Sequence, residues 1–171
     1  MKPNKKKSSK LKNRLLNFFI GLLLFLGLAL VFNDQIKHFL MGRFSENYTV
    51  DQITRADIQK NEQQEATFDF DAVEPVSFEK VLQAQFGQAQ LPVIGGVAIP
   101  TIGVNLPIFK GLSNEALLYG AGTFTSEQKM GLGNYALASH RVEGTELLFT
   151  KIDQMRAGDT IYVTDLENIY V

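Results

Sequence analysis

One histidine stands in the globular part of this chain, at the end of Asn134-Tyr135-Ala136-Leu137-Ala138-Ser139-His140. The run reads as a buried strand that delivers an imidazole to its end, where a proton can be taken up or released near neutral pH. On spacing alone, a lone histidine at a strand end is structural before it is catalytic. A metal site has less support, because no second His or Cys stands at ligand spacing. The chain has no cysteine at all. Disulfides, thiolate metal sites and thiol nucleophiles are therefore outside what these 171 residues can supply.

The other chemistry-bearing patterns have plainer readings. Gly95-Gly96 and Gly120-Ala121-Gly122 lack a following Lys-Ser/Thr or a βαβ setting, which argues against phosphate binding. Gly131-Leu132-Gly133 reads as a turn. Asp69, Asp71 and Glu74 form an acidic cluster that reads as solvated linker before cation site. Glu143 and Glu146 flank the loop after His140 without an acid–base pattern, and Asn47-Tyr48-Thr49 matches a glycosylation triplet too short to carry weight.

The elements that must position His140 are short. From Leu91 onward, strands are expected at Val93–Ile99, closed by Pro100, then at Leu106–Phe109, Tyr135–His140, Thr160–Thr164 and Ile169–Val171. A brief helix is expected near Asn114–Leu118 and a helical turn near Leu147–Met155. Strands about ten residues apart point to an antiparallel barrel or sandwich, with Asp165–Asn168 as a hairpin connection. Upstream, Ser77 caps a helix to Phe86 that Gly87 ends. Thr49-Val50-Asp51-Gln52 fits a capping box for a helix reaching Lys60, and residues 60–65 read as solvated.

Residues 1–14 hold seven of the 17 Lys and Arg and no acid, so the arm is +7 and the remainder −8. A basic arm alone would admit nucleic acid, but the next segment excludes that reading. Residues 15–32, LLNFFIGLLLFLGLALVF, carry no charge and one polar residue, Asn17. As a helix they span roughly 27 Å, close to a bilayer's hydrocarbon thickness. Their 14 Leu, Ile, Phe and Val residues favour insertion by roughly 4–8 kcal/mol before Asn17 and the glycines subtract. A cleaved signal peptide would have a shorter apolar run ending at small residues, whereas Gly27-Leu28-Ala29 lies inside this one. The reading is an uncleaved single-pass anchor with the N-terminus cytoplasmic and the globular part outside. His38, just past it, reads as interfacial.

Four motifs in order then carry a family resemblance: Leu91–Pro100 (LPVIGGVAIP), Gly103–Gly111 (GVNLPIFKG), Leu118–Thr123 (LYGAGT) and Asn134–His140 (NYALASH). With Leu148-Phe149 and Ile161–Asp165, residues 68–171 resemble the N-terminal part of the class A sortases of Gram-positive bacteria. The resemblance implies a mainly β fold: an incomplete portion of a closed eight-stranded barrel with short helices, after a transmembrane helix and a stalk at 33–67. It implies a membrane-anchored cysteine transpeptidase. Such enzymes cleave LPXTG-type sorting signals between Thr and Gly through a thioacyl-enzyme and pass the acyl group to a cell-wall amine. His140 matches the catalytic histidine by its whole local motif, and Ala138 a small residue lining the substrate groove.

The family's cysteine and arginine motifs have no match here, and neither Arg141 nor Arg156 fills the arginine's place. Arg141 also stands where a second His is common. Leu91–Gly95 itself resembles a sorting signal but reads as the first barrel strand. The expectation is thus an N-terminal portion of a sortase that is inactive alone, with no cofactor and no metal. Its partners are LPXTG-bearing surface proteins, a cell-wall amine and the bilayer, with no nucleic acid. The alternative is a non-catalytic module that binds sorting signals; a bare anchor and assembly element is a third reading.

Overall fold

The computed structural model describes residues 5–45, 48, 50–87 and 91–171. The chain divides into an N-terminal unit ending at Ile36 and a body spanning Lys37–Val171. The first is dominated by helix α1, Lys5–Val31, whose stretch Lys12–Val31 is long and apolar enough to cross a membrane. The leucines and phenylalanines of that stretch are exposed. Helix α2, Asn33–Ser45, follows, although no clean apolar periodicity in the sequence marks it.

The body is mainly β-sheet with short helices. Strands β1 (Val93–Ile99), β2 (Val104–Phe109), β3 (Ala121–Thr123), β4 (Leu137–Ala138), β5 (Tyr162–Thr164) and β6 (Ile169–Tyr170) form one sheet in the order β4-β3-β2-β1-β5-β6. All neighbours are antiparallel except β2 and β3, so the sheet is mixed rather than purely antiparallel. The parallel pair arises because helix α5, Asn114–Leu117, carries the chain back across before β3, with Ser113 capping it.

β1 is the central strand. Its run of Val and Ile is buried on both faces, and Pro100, lacking an N–H, stops it. A short 3-10 turn and Gly103, at φ +70°, return the chain into β2. Gly95 has a specific purpose: a Cβ there would overlap the Thr164 carbonyl of β5 and the Met130 side chain. Its absence lets β5 pair closely and Met130 pack on the strand.

Upstream residues join this body. Helix α3, Arg55–Glu62, begins one turn later than the Thr49 pattern implied. Thr54 is its N-cap, with a reciprocal capping box to Asp57, and Asn47 and Thr49 lie outside the described residues. Ile58 on α3 is fully buried, Met41 on α2 is 1% exposed, and both belong to the core around β1 and β2. Tyr48 stacks on Tyr119 and meets Phe109 edge-on, each at 5.7 Å. The Asn61 side chain donates to the Val93 carbonyl, and Lys110 Nζ donates to the carbonyls of Glu62 and Gln64. Within the segment expected as a stalk, Met41, Tyr48, Ile58 and Asn61 thus pack on the sheet and its core. Helix α4, Phe78–Phe86, matches the sequence reading, with Ser77 as cap and Val81 in the core.

Candidate active site

β4 is two residues long, shorter than the strand expected over Tyr135–His140. It pairs with β3 through Gly122 opposite Ala138 and Thr123 opposite Leu137. The edge continues beyond it by other bonds. Ser139 Oγ donates to the Gly120 carbonyl at 2.7 Å, and the His140 carbonyl accepts from Phe149 N–H at 3.1 Å. Arg141 and Leu148 form a bridge pair, with Leu148 buried at φ +55°. Thr150 Oγ1 accepts from Val142 N–H at 3.0 Å and closes the loop. His140 is therefore fixed by the Ser139 side-chain bond before it and the backbone bond to its own carbonyl, although it lies outside the strand proper.

The imidazole is half-buried and makes no hydrogen bond among the described residues. Burial holds its pKa below the ordinary histidine value, and the Lys80 ammonium on α4 adds to that. Lys80 is itself ion-paired to Glu74. The neutral ring is thus the resting form at neutral pH, suited to accepting a proton before giving it back.

Ala138 lines an open apolar trough of about 530 Å3, with Val97 and Ile99 of β1, Leu137 of β4, Val163 of β5 and Phe149. β4 and β5 stand on opposite sides of β1 in the sheet order, yet both line this one trough, so the sheet curls around it. Ser139 and Arg141 also line it, while the ring of His140 between them does not. The structure thus brings Ala138 to an apolar groove and sets His140 beside it.

Apart from Arg141, which lines the trough, the other candidates stay outside this arrangement. Arg141 pairs with Asp153 at 3.1 Å, and Glu146 pairs with Lys151. Asp69 caps Asp71 N–H, Glu74 is taken by Lys80, and among the described residues no group of three metal-ligating side chains is assembled. Gly95 and Gly96 are strand residues, and Gly131 and Gly133 take the positive φ of a turn. Lys80 was not singled out from sequence. It lies 60 residues from His140, and only the packing of α4 reveals its effect on the imidazole.

A mixed curled sheet, a histidine fixed past its edge strand and an apolar groove alongside define a β-sheet protein with an open groove on one face. Comparison with known proteins supplies the family. Residues 97–171 match the sortase domain. The sortase A of Streptococcus agalactiae is 41% identical across 98% of this chain and 70% of its own length. The sortase A of Listeria monocytogenes is 40% identical across 87% of the chain and 67% of its own length. A solved structure of Listeria monocytogenes sortase A is 49% identical over 46% of this chain and 54% of its own, with a TM-score of 0.45. The chain belongs to the sortase family, in its class A. It spans about two thirds of its curated relatives and about half of the chain in that solved structure.

Proposed function

We propose that this chain is part of a membrane-anchored sortase. The apolar helix holds it in the membrane with the basic arm on the cytoplasmic side, and the body, with residues 68–171 as its sortase portion, works outside. The substrate class is a surface protein bearing an LPXTG-type sorting signal, and the acceptor is a cell-wall amine. The observation that carries this reading is the placement of His140 beside a groove that includes Ala138, with burial holding the imidazole pKa low.

Two half-reactions follow. A thiol loses its proton to the neutral imidazole, and the thiolate attacks the Thr–Gly carbonyl. The imidazolium then protonates the departing glycine amine as the C–N bond breaks, leaving a thioacyl group. The incoming amine attacks that group, and the imidazole removes its proton as thiolate departs. Ala138 leaves room for the extended signal along the trough. The thiol is absent from these 171 residues, so a polypeptide of this sequence alone is expected to perform neither step.

The test uses the 171-residue chain in micelles with an LPXTG peptide and an amine. The expected result is saturable peptide binding, with NMR shifts at Ala138 and Val163 and no amide product. Turnover lost on His140→Ala would defeat the claim of inactivity, and absence of binding would defeat the groove assignment. Binding without catalysis in every form of the protein, including one supplied with the missing thiol, would favour the non-catalytic module, a reading that the lack of cysteine keeps open.

A further inference from the structure

The trough that holds Ala138 has apolar walls from Val97, Ile99, Leu137, Phe149 and Val163, and among the residues lining it only Arg141 is charged. The backbone of Arg141 is set by its bridge pair with Leu148, directly after His140. Its guanidinium is held at a second point, where Nη1 lies 3.1 Å from the Asp153 carboxylate. Asp153 sits on the short 3-10 turn Ile152–Gln154, and its neighbour Ile152 is itself a wall of the trough. The charge is therefore tethered at the rim, between the His140 end and the Ile152 wall.

A ligand can share that tether. The side chains of Arg141 and Asp153 are 60% and 53% exposed, so water screens the pair and it contributes little to stability. Nε and Nη2 of Arg141 have no partner among the described residues. These two donors lie on one edge of the planar guanidinium and match the two oxygens of a carboxylate. No acid lines the trough to compete for them. The Lys80 ammonium adds positive potential at the adjacent imidazole.

The inference rests on the reading of this groove as a sorting-signal site and concerns which signals it selects. In an LPXTG signal, Leu and Pro suit the apolar walls, while Thr and Gly flank the bond that must reach His140. X is the side chain left to meet the one charge in the lining. We propose that Arg141 reads residue X of the signal and favours a carboxylate there, glutamate over its neutral isostere glutamine. Arg141 serves recognition and takes no part in the bond changes. Asp153 competes with the ligand for the same guanidinium and so sets how strong the preference is.

The test is a fluorescence-anisotropy titration of the full chain in uncharged maltoside micelles with labelled LPETG, LPQTG and LPKTG peptides, blocked at both termini. At low salt LPETG should bind about fivefold more tightly than LPQTG, the upper range for an exposed ion pair, and LPKTG should bind more weakly than either. The difference should fall below about twofold in roughly 1 M salt, where the screening length drops to ~3 Å. Arg141→Gln should bring the LPETG and LPQTG affinities together, Arg141→Lys should restore part of the difference, and Asp153→Asn should widen it. Each comparison is a ratio within one protein, so a general loss of affinity does not imitate it. Equal affinity of the wild type for LPETG and LPQTG, or a preference that survives Arg141→Gln, would overturn the role of Arg141 and leave the groove reading intact. Saturable binding of none of the three peptides would overturn the groove reading and this inference together.

Discussion

Replacing Ile58 by Ala tests whether the segment before the sheet is part of the folded body. Ile58 is 0% exposed, on the face of α3 that meets the core around β1. The substitution removes three buried carbons, worth about 0.8 kcal/mol each in transfer, or roughly 2.4 kcal/mol. A cavity that relaxes only partly adds to this, giving about 3 kcal/mol, inside the usual range of about 2–5 for such truncations. For a body of this size that corresponds to a fall in melting temperature of roughly 10 °C. The assay is thermal unfolding of the full chain in micelles, followed by near-ultraviolet circular dichroism. Gln59→Ala, one residue away on the exposed side of α3, is the control and should stay within about 0.5 kcal/mol of wild type. If Ile58→Ala melts within 2 °C of wild type, residues 55–62 are a detached stalk and the packing argument fails.

Further outcomes follow from His140, Thr123 and Gly95. The chain has only two histidines, so His38→Gln leaves one imidazole signal; His140 should titrate below the ordinary value, and Lys80→Gln should raise its pKa, whereas a midpoint at or above 6.5 would refute the burial argument. Because the folded pKa is the lower one, the unfolded chain binds more protons between the two values. The contribution of His140 to stability is then complete above about 6.5 and falls as pH drops towards the folded pKa, which pH-dependent unfolding of wild type against His140→Gln can read. Thr123→Val orphans the Gly111 N–H, which donates to Thr123 Oγ1 at 2.8 Å in a buried site; a loss of about 1–3 kcal/mol is expected, Thr123→Ser should lose less, and equal stability of Val and wild type would show that the bond contributes nothing. Gly95→Ala should part β5 from β1 and cost about 1–3 kcal/mol, visible as faster amide exchange at Val163, and unchanged exchange would mean the strands do not approach as described.

Local signals were legible where one residue type dictates backbone behaviour. Pro100 ended β1, Ser77 and Gly87 bounded α4, and Asp165–Asn168 became the connection between β5 and β6. β3 was missed because Ala121-Gly122-Thr123 carries little strand propensity, and pairing with β2 and β4 alone makes it a strand. α2 was missed because Asn33–Ser45 has no clean apolar face; Met41 packs into the core without announcing itself in the pattern. The capping box was placed at Thr49 instead of Thr54 because both sequences fit, and burial of Ile58 selects the register.

For the candidate site the division is similar. The amino-acid sequence determined which groups exist: one histidine in the body, no thiol, an apolar segment long enough for a bilayer, and motifs that identify the family. Those are matters of covalent composition and local order, which folding cannot alter. The tertiary structure decided what surrounds the histidine. Burial and the Lys80 ammonium bring its pKa down, and the curl of the sheet sets Ala138 in a trough beside it. Each of these joins residues far apart in the chain, and solvent exclusion and charge proximity exist only once those segments have packed together.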